Sequence, residues 1–387
     1  MKEKYSPVFF LAALGPGGMA VAFFMYFMFM TPHKGVAMPT YDTLMAYFNK
    51  TTMYGKVGMV LVLIAILFFA YKHLSLLFKN IVAFNKFKKT QEYRDLKGTL
   101  AEVTLMAVPL TYAMTINVLF ILGALLVPGL WGVVEYLFPG ALLGFLAVGI
   151  YAAKIFMEYF IPFFINGNPA WEENSSFVQL LSSFAFVMVG VGFAAGGAMS
   201  HIKIVSAIGL FFAMMFIGAS IALLLLKFIL GFHTVAKKGI AKTAGPSLWI
   251  FIPILTLVGI TLFRIKFGLT HNFAEGHNSV NEFTYSLTAS IFAIESAIGI
   301  FGYYVMKKLN YFAEYVHGSQ KDVSSYALIC PGVAYVVFGF FFVHWGLVHN
   351  HVIDKFGIIY WILIAFLAAV QFKTVATMLK LNKKFNL

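Results

Sequence analysis

Residues Ser325–Leu347 read SYALICPGVAYVVFGFFFVHWGL. The run is apolar and long enough to cross a bilayer, which takes about 20 residues. It holds the chain's one cysteine, Cys330, followed directly by Pro331. Proline removes a backbone donor and crowds the carbonyl four residues back. Lipid cannot satisfy that freed carbonyl, so neighbouring protein or water must. The segment therefore reads as a spanning helix whose middle faces a core or a pathway.

Nine further runs resemble it, and together the spans cover about 7–30, 57–78, 102–127, 132–157, 176–199, 204–230, 246–264, 285–306, 325–347 and 357–378. The composition agrees, with 61% apolar and 11% charged residues in 387, against about half and a quarter in soluble domains. The whole chain, 1–387, reads as a single polytopic all-α membrane domain. The first apolar run has no trusted cleavage site and reads as a span, not a removed signal. The net charge of +13 does not point to nucleic acid, because the basic residues sit in short segments between spans. With the N-terminus inside, twenty Lys and Arg fall on the inner side and seven on the outer, with Lys154 inside a span. That bias predicts both termini in the cytoplasm. The Ile165–Ser175 loop runs against it, carrying Glu172 and Glu173 and no cation. The basic stretch from Lys79 to Thr99 reads as a topology determinant, or as a segment lying along anionic lipid.

The spans alternate in character. Four of the five odd-numbered ones carry a proline in their first half: Pro16, Pro109, Pro253 and Pro331. The fifth span has Ser182 and Ser183 at that depth, then Gly190 and Gly192. Even-numbered spans lack the feature, with Pro139 near the start of the fourth and Pro162 beyond its expected end. The pattern predicts five helical hairpins, each with a broken inner helix and a continuous lipid-facing partner.

At this level the chain resembles the tellurite-resistance/dicarboxylate transporter family, which includes slow anion channels and sulfite exporters. The resemblance runs over the ten-span plan. It rests on SPVFFLAALGPGGMAVAFF in the first span, INGNPAW before the fifth, GPSLWIFIPILTLVGI in the seventh and SSYALICPGVAYVVFGF in the ninth. It implies five hairpins in quasi-five-fold arrangement around a central anion pore, often as a homotrimer. It also implies a pore-closing phenylalanine beside the ninth-span proline. Cys330 stands at that place, so the ring is expected from another residue such as Phe10 or Phe251, or the gating differs.

Several side chains are candidates for chemistry. Cys330 is either a packed small residue or a thiol lining the pathway. Glu295 lies mid-span, where a carboxylate is costly and a functional candidate by default; it is expected behind the pore helices or at a subunit contact. Pro16 and Gly17 in GPGG either permit close helix approach or expose backbone dipoles. With Phe10, Pro109, Ser183, Phe251, Pro253 and Pro331, these form the pore and gate candidates. Lys154 and Glu158 are expected to pair. Lys203, Arg264, Lys266 and Lys355 flank outer helix ends, as snorkelling anchors or as an anion-attracting rim. His33, His201, His271, His277, His344, His349 and His351 fall on the outer side, with His73 and His344 deepest. No CxxCH, HExxH, phosphate loop or catalytic triad is present, so no cofactor and no enzymatic activity is expected. Two readings follow. One is a membrane channel or transporter for a small anion; the other is a redox protein using haem or metal at the histidines, or a Cys330 thiol centre.

Overall fold

A computed structural model describes residues 5–167, 175–274 and 281–387. Lys2, Lys4, the NPAW part of INGNPAW, Glu172, Glu173 and His277 lie outside the described residues. The described chain is helical: α1 (Phe10–Met30), α2 (Tyr41–Lys50), α3 (Met53–Phe87), α4 (Gln91–Leu96), α5 (Ala107–Leu126), α6 (Val134–Asn166), α7 (Leu181–Met199), α8 (Lys203–Lys238), α9 (Phe251–Asn272), α10 (Asn281–Lys308), α11 (Ile329–Phe341) and α12 (Ile358–Phe385). All but the short α2 and α4 belong to ten segments long and apolar enough to cross a membrane. The protein is therefore a multi-pass integral membrane protein.

The odd-numbered spans, built on α1, α5, α7, α9 and α11, are buried over 61–89% of their most apolar stretch; the even-numbered ones, on α3, α6, α8, α10 and α12, over 22–33%. An apolar helix exposed on most of its surface suits lipid, and a buried apolar helix suits a bundle interior. Each odd span packs along the even span that follows it, and α1, α5, α7, α9 and α11 also pack on one another. The start of the described chain and the end of α12 lie together: the Phe9 and Phe385 rings are 5.9 Å apart. We call that side proximal and the side of the Thr31–Thr40 loop distal.

The odd spans share a device that proline only partly reveals. Each begins with a 3₁₀ segment: Pro7–Phe9, Leu100–Met106, Val178–Leu180, Lys242–Ile250 and Val323–Leu328. Among the described residues, α6 alone of the even spans has such a lead-in, Leu130–Val133. Pro109, Pro253 and Pro331 are each the third residue of the α-helix that follows. There the missing N–H takes a partner away from a carbonyl of the 3₁₀ lead-in, where the hydrogen-bond register is already changing. These prolines mark the 3₁₀-to-α transition and do not break the helix mid-span, contrary to the sequence expectation. Ser183 holds the same third place in α7, so the fifth span keeps the device without the proline. Pro16 alone of the four lies in a helix interior. Carbonyls around it find partners on neighbouring helices: the Thr111 hydroxyl donates to Phe10 O at 3.2 Å, and His73 Nδ1 donates to Ala13 O at 2.8 Å.

Other expectations shift. α6 continues to Asn166, so Pro162 is inside it. The basic stretch after Lys79 begins as the continuation of α3 to Phe87 and is followed by the short, exposed α4. α6 and α8 end at Gly167 (φ 67°) and Gly239 (φ 76°), conformations that cost a glycine little. Thr52 and Thr90 cap α3 and α4 through their side chains. Glu158 pairs more closely with Lys97, at 3.0 Å, than with Lys154, at 3.9 Å. Lys97 also reaches the buried Glu102 at 2.8 Å, which ties the start of the third span to α6. Burial opposes the charge on Lys97, but the hydrogen bonds to Glu102 and Glu158 more than offset it and raise its pKa.

Candidate functional site: two chambers meeting at a phenylalanine

The buried spans do not close completely against each other. A distal chamber of about 520 Å³ is lined by residues of α1, α5, α7, α9 and α11, with an arm reaching α6 between α5 and α7. A proximal chamber of about 70 Å³ is lined mainly by the 3₁₀ lead-ins, including Val8, Val178, Ser247, Ile250, Ser324 and Ala327. Three residues border both chambers: Phe184 on α7, Pro253 on α9 and Cys330 on α11. These three residues mark the place where the two spaces meet. Phe184 is the only large one of the three, and it is 4% exposed.

This arrangement sorts the sequence candidates. Pro253 and Cys330 are at the junction, and Pro331 lines the proximal chamber. Pro16, Gly17, Pro109 and Ser183 line neither. Ser183 faces α8, where its hydroxyl lies 2.8 Å from that of Ser220. Phe10 is fully buried and packs edge-on against Phe84 and near Tyr112. Phe251 packs against Phe177 and Phe228. Neither ring lies between the chambers, so the large group there is Phe184, which sequence reasoning missed. The available signal was register: Phe184 follows the Ser183 that replaces proline in its span.

The GPGG motif serves close approach. A Cβ at Gly17 would lie 2.7 Å from His73 Nδ1 and 2.8 Å from Met114 Cγ. His73 bridges α1, α3 and α5. Ala13 O can only accept, so Nδ1 carries the hydrogen and Nε2 accepts from the Thr115 hydroxyl at 3.0 Å. His344 is likewise engaged, Nδ1 with Phe340 O at 2.9 Å and Nε2 with Tyr360 OH at 3.0 Å, and it stacks on Phe29. His201 and His271 pair at 3.1 Å on the distal surface. Among the described residues no three His, Cys, Asp or Glu side chains come together as a metal site would need.

No family model, curated protein or solved structure matches the chain.

The chamber walls are mostly apolar, with a few polar groups. On α9 the lining residues recur at helical spacing: Pro253, Thr256, Ile260, Phe263, Arg264 and Phe267. Thr256 donates to Glu295 Oε1 at 2.7 Å. Glu295, on α10, is fully buried, and its Oε2 has no hydrogen-bond partner. It stands behind α9 and meets the chamber only through Thr256. Arg264 sits about 16 Å further along α9 than Pro253, at ~1.5 Å per residue. Its placement depends on glycines: a Cβ at Gly268 would lie 3.0 Å from Gly197 O, and one at Gly209 would lie 2.8 Å from Gly197 N. These approaches hold the distal parts of α7, α8 and α9 together. At the chamber's distal edge, burial lowers the pKa of His33; the Thr31 carbonyl opposes this and the Lys355 ammonium adds to it.

Proposed function

We propose that the protein carries small anions across the membrane along α1, α5, α7, α9 and α11, through the two chambers and past Phe184. The observation that carries this reading is that both chambers lie among the buried spans and share one border, formed by Phe184, Pro253 and Cys330. A membrane protein built only for packing has little use for aligned chambers of this size along its least lipid-exposed helices. An anionic cargo is supported by Arg264 on the chamber wall, with no Asp or Glu among the described residues lining either chamber. Selection would rest on width, backbone dipoles and a positive field.

Within this reading the chain is a member of the tellurite-resistance/dicarboxylate transporter family. The five odd–even helix pairs form a quasi-five-fold ring around the pathway, and the assembly is a homotrimer. The proximal side is the cytoplasm and the membrane is the plasma membrane, in keeping with the charge bias of the loops. The redox alternative has less support, because the ring nitrogens of both deep histidines, His73 and His344, are taken up by protein partners. Reconstitution into liposomes with an anion-sensitive dye inside tests the proposal. Anion flux under an imposed gradient, absent from empty liposomes, is expected. No flux for chloride, nitrate or small carboxylates would overturn it. A haem absorption band in the purified protein would favour the alternative.

A further inference from the structure

We propose that the distal chamber binds a singly charged anion with an apolar body, with the Arg264 guanidinium as its counter-charge. This rests on the pathway reading and specifies its substrate class.

Arg264 is half-buried on the chamber wall. Its one described hydrogen bond runs from Nη1 to Val191 O on α7, at 2.9 Å. A guanidinium has five N–H donors, so this bond leaves most of them for another acceptor. The described ion pairs involve Lys97, Lys154 and Lys242, and none includes Arg264. A cation at an apolar wall without a counter-ion is costly. Its planar fork suits a carboxylate or similar oxyanion.

The rest of the chamber sets the charge and body of the guest. Arg264 is the only Lys or Arg among the lining residues, and Lys266, two residues on, does not line it. His33 is the other basic group and lies at the edge, where burial disfavours its charged form. A second negative charge on the guest would therefore have no fixed partner. Beside Arg264 the wall is aromatic: Phe263, Phe267 and Trp345 form a cluster with ring centroids 4.5–5.1 Å apart. The remaining wall is largely aliphatic, with Asn117 and Thr256 as further polar points. About 520 Å³ is far more than a bare halide fills, and it falls in the range that takes a ligand of many atoms. A short monocarboxylate from water and a fatty acid from the bilayer share this chemistry.

Binding of sodium hexanoate, dodecanoate, acetate and succinate to the full chain in lipid nanodiscs, read by calorimetric titration and by thermal shift, tests the inference. Hexanoate or dodecanoate is expected to bind at least tenfold tighter than acetate or succinate. Tighter hexanoate points to a guest from water, and tighter dodecanoate to one from the bilayer. Arg264→Gln is expected to lower the affinity of the tighter of these two tenfold or more, with Arg264→Lys in between. Ala195→Leu narrows the chamber and is expected to weaken hexanoate while leaving acetate unchanged. Equal affinity in wild type and in an Arg264→Gln protein of unchanged melting temperature would overturn the site. Succinate binding tighter than both monocarboxylates would overturn the charge assignment. If Arg264→Gln does not fold, Arg264→Lys and Ala195→Leu carry the test, and no change in either overturns it. Binding without flux overturns the transport reading and keeps the site; flux without binding does the reverse.

Discussion

Replacing Phe184 with alanine should open the border between the two chambers. In the structure the ring is one of three side chains bordering both spaces, beside a proline and a cysteine. For an anion to pass, the ring must leave its place. Burial of a phenylalanine side chain is worth about 1.5–3 kcal/mol. The ring would swing into a chamber with apolar walls, which returns roughly half of that value. A strained rotamer adds about 0.5–1.5 kcal/mol. The opening step then costs about 2 kcal/mol, and deleting the ring should raise flux ~30-fold, at 1.4 kcal/mol per tenfold. The assay is initial anion flux into proteoliposomes, normalised to reconstituted protein and compared with Cys330→Ala. That variant leaves the ring in place and should change flux by less than about threefold, which corresponds to ~0.6 kcal/mol. Flux in Phe184→Ala within twofold of wild type, with an unchanged melting temperature, would refute the assignment of the ring as the closing group.

Other outcomes follow from the same geometry. Cys330→Phe places a second ring at the border and should cut flux strongly; unchanged flux would move Cys330 off the pathway. Gly17→Val drives a side chain into His73 and Met114 and should destabilise the protein by about 1–3 kcal/mol, read as a lower thermal midpoint. Glu295→Gln keeps the shape of the side chain and an oxygen to accept from Thr256, so fold and flux should survive. Loss of flux with an intact fold would make the carboxyl group a participant in transport. His33 binds its proton less readily than an ordinary histidine because of burial. It is neutral at neutral pH and gains charge only below its usual value of 6.5. Anion flux should therefore rise on acidification of the distal side below that value, and His33→Ala should abolish the rise; a rise that persists in the variant would assign it to another group.

Much of the architecture was legible in the sequence because the bilayer imposes it. A span needs a certain apolar length whatever it packs against, and ten such runs stand out in the composition. The alternation of inner and outer helices was legible too, since Pro109, Pro253 and Pro331 recur at one depth. Their physical meaning was not. Proline at the third position of a helix and proline in its interior look alike in one dimension, and the 3₁₀ lead-ins that distinguish them depend on tertiary packing. The candidate site was less visible still. Phe184 is one of 44 phenylalanines, and its register after Ser183 does not by itself tell a chamber-lining ring from a packed one such as Phe10 or Phe251; the packing of α7 on α9 and of α9 on α11 brings it to the border of two cavities. Arg264 shows the same limit from the other direction. In sequence it is a cation near a helix end, most simply a snorkelling anchor. In space the tight meeting of Gly197, Gly209 and Gly268 draws the end of α9 inward, so the guanidinium faces a chamber and not the membrane surface. The sequence signals that fail here are those read one residue at a time. Whether a charge is an anchor or a ligand is decided by three glycines on three helices, and a bulkier residue at Gly197 should return Arg264 to the ordinary role by prising α7 and α9 apart.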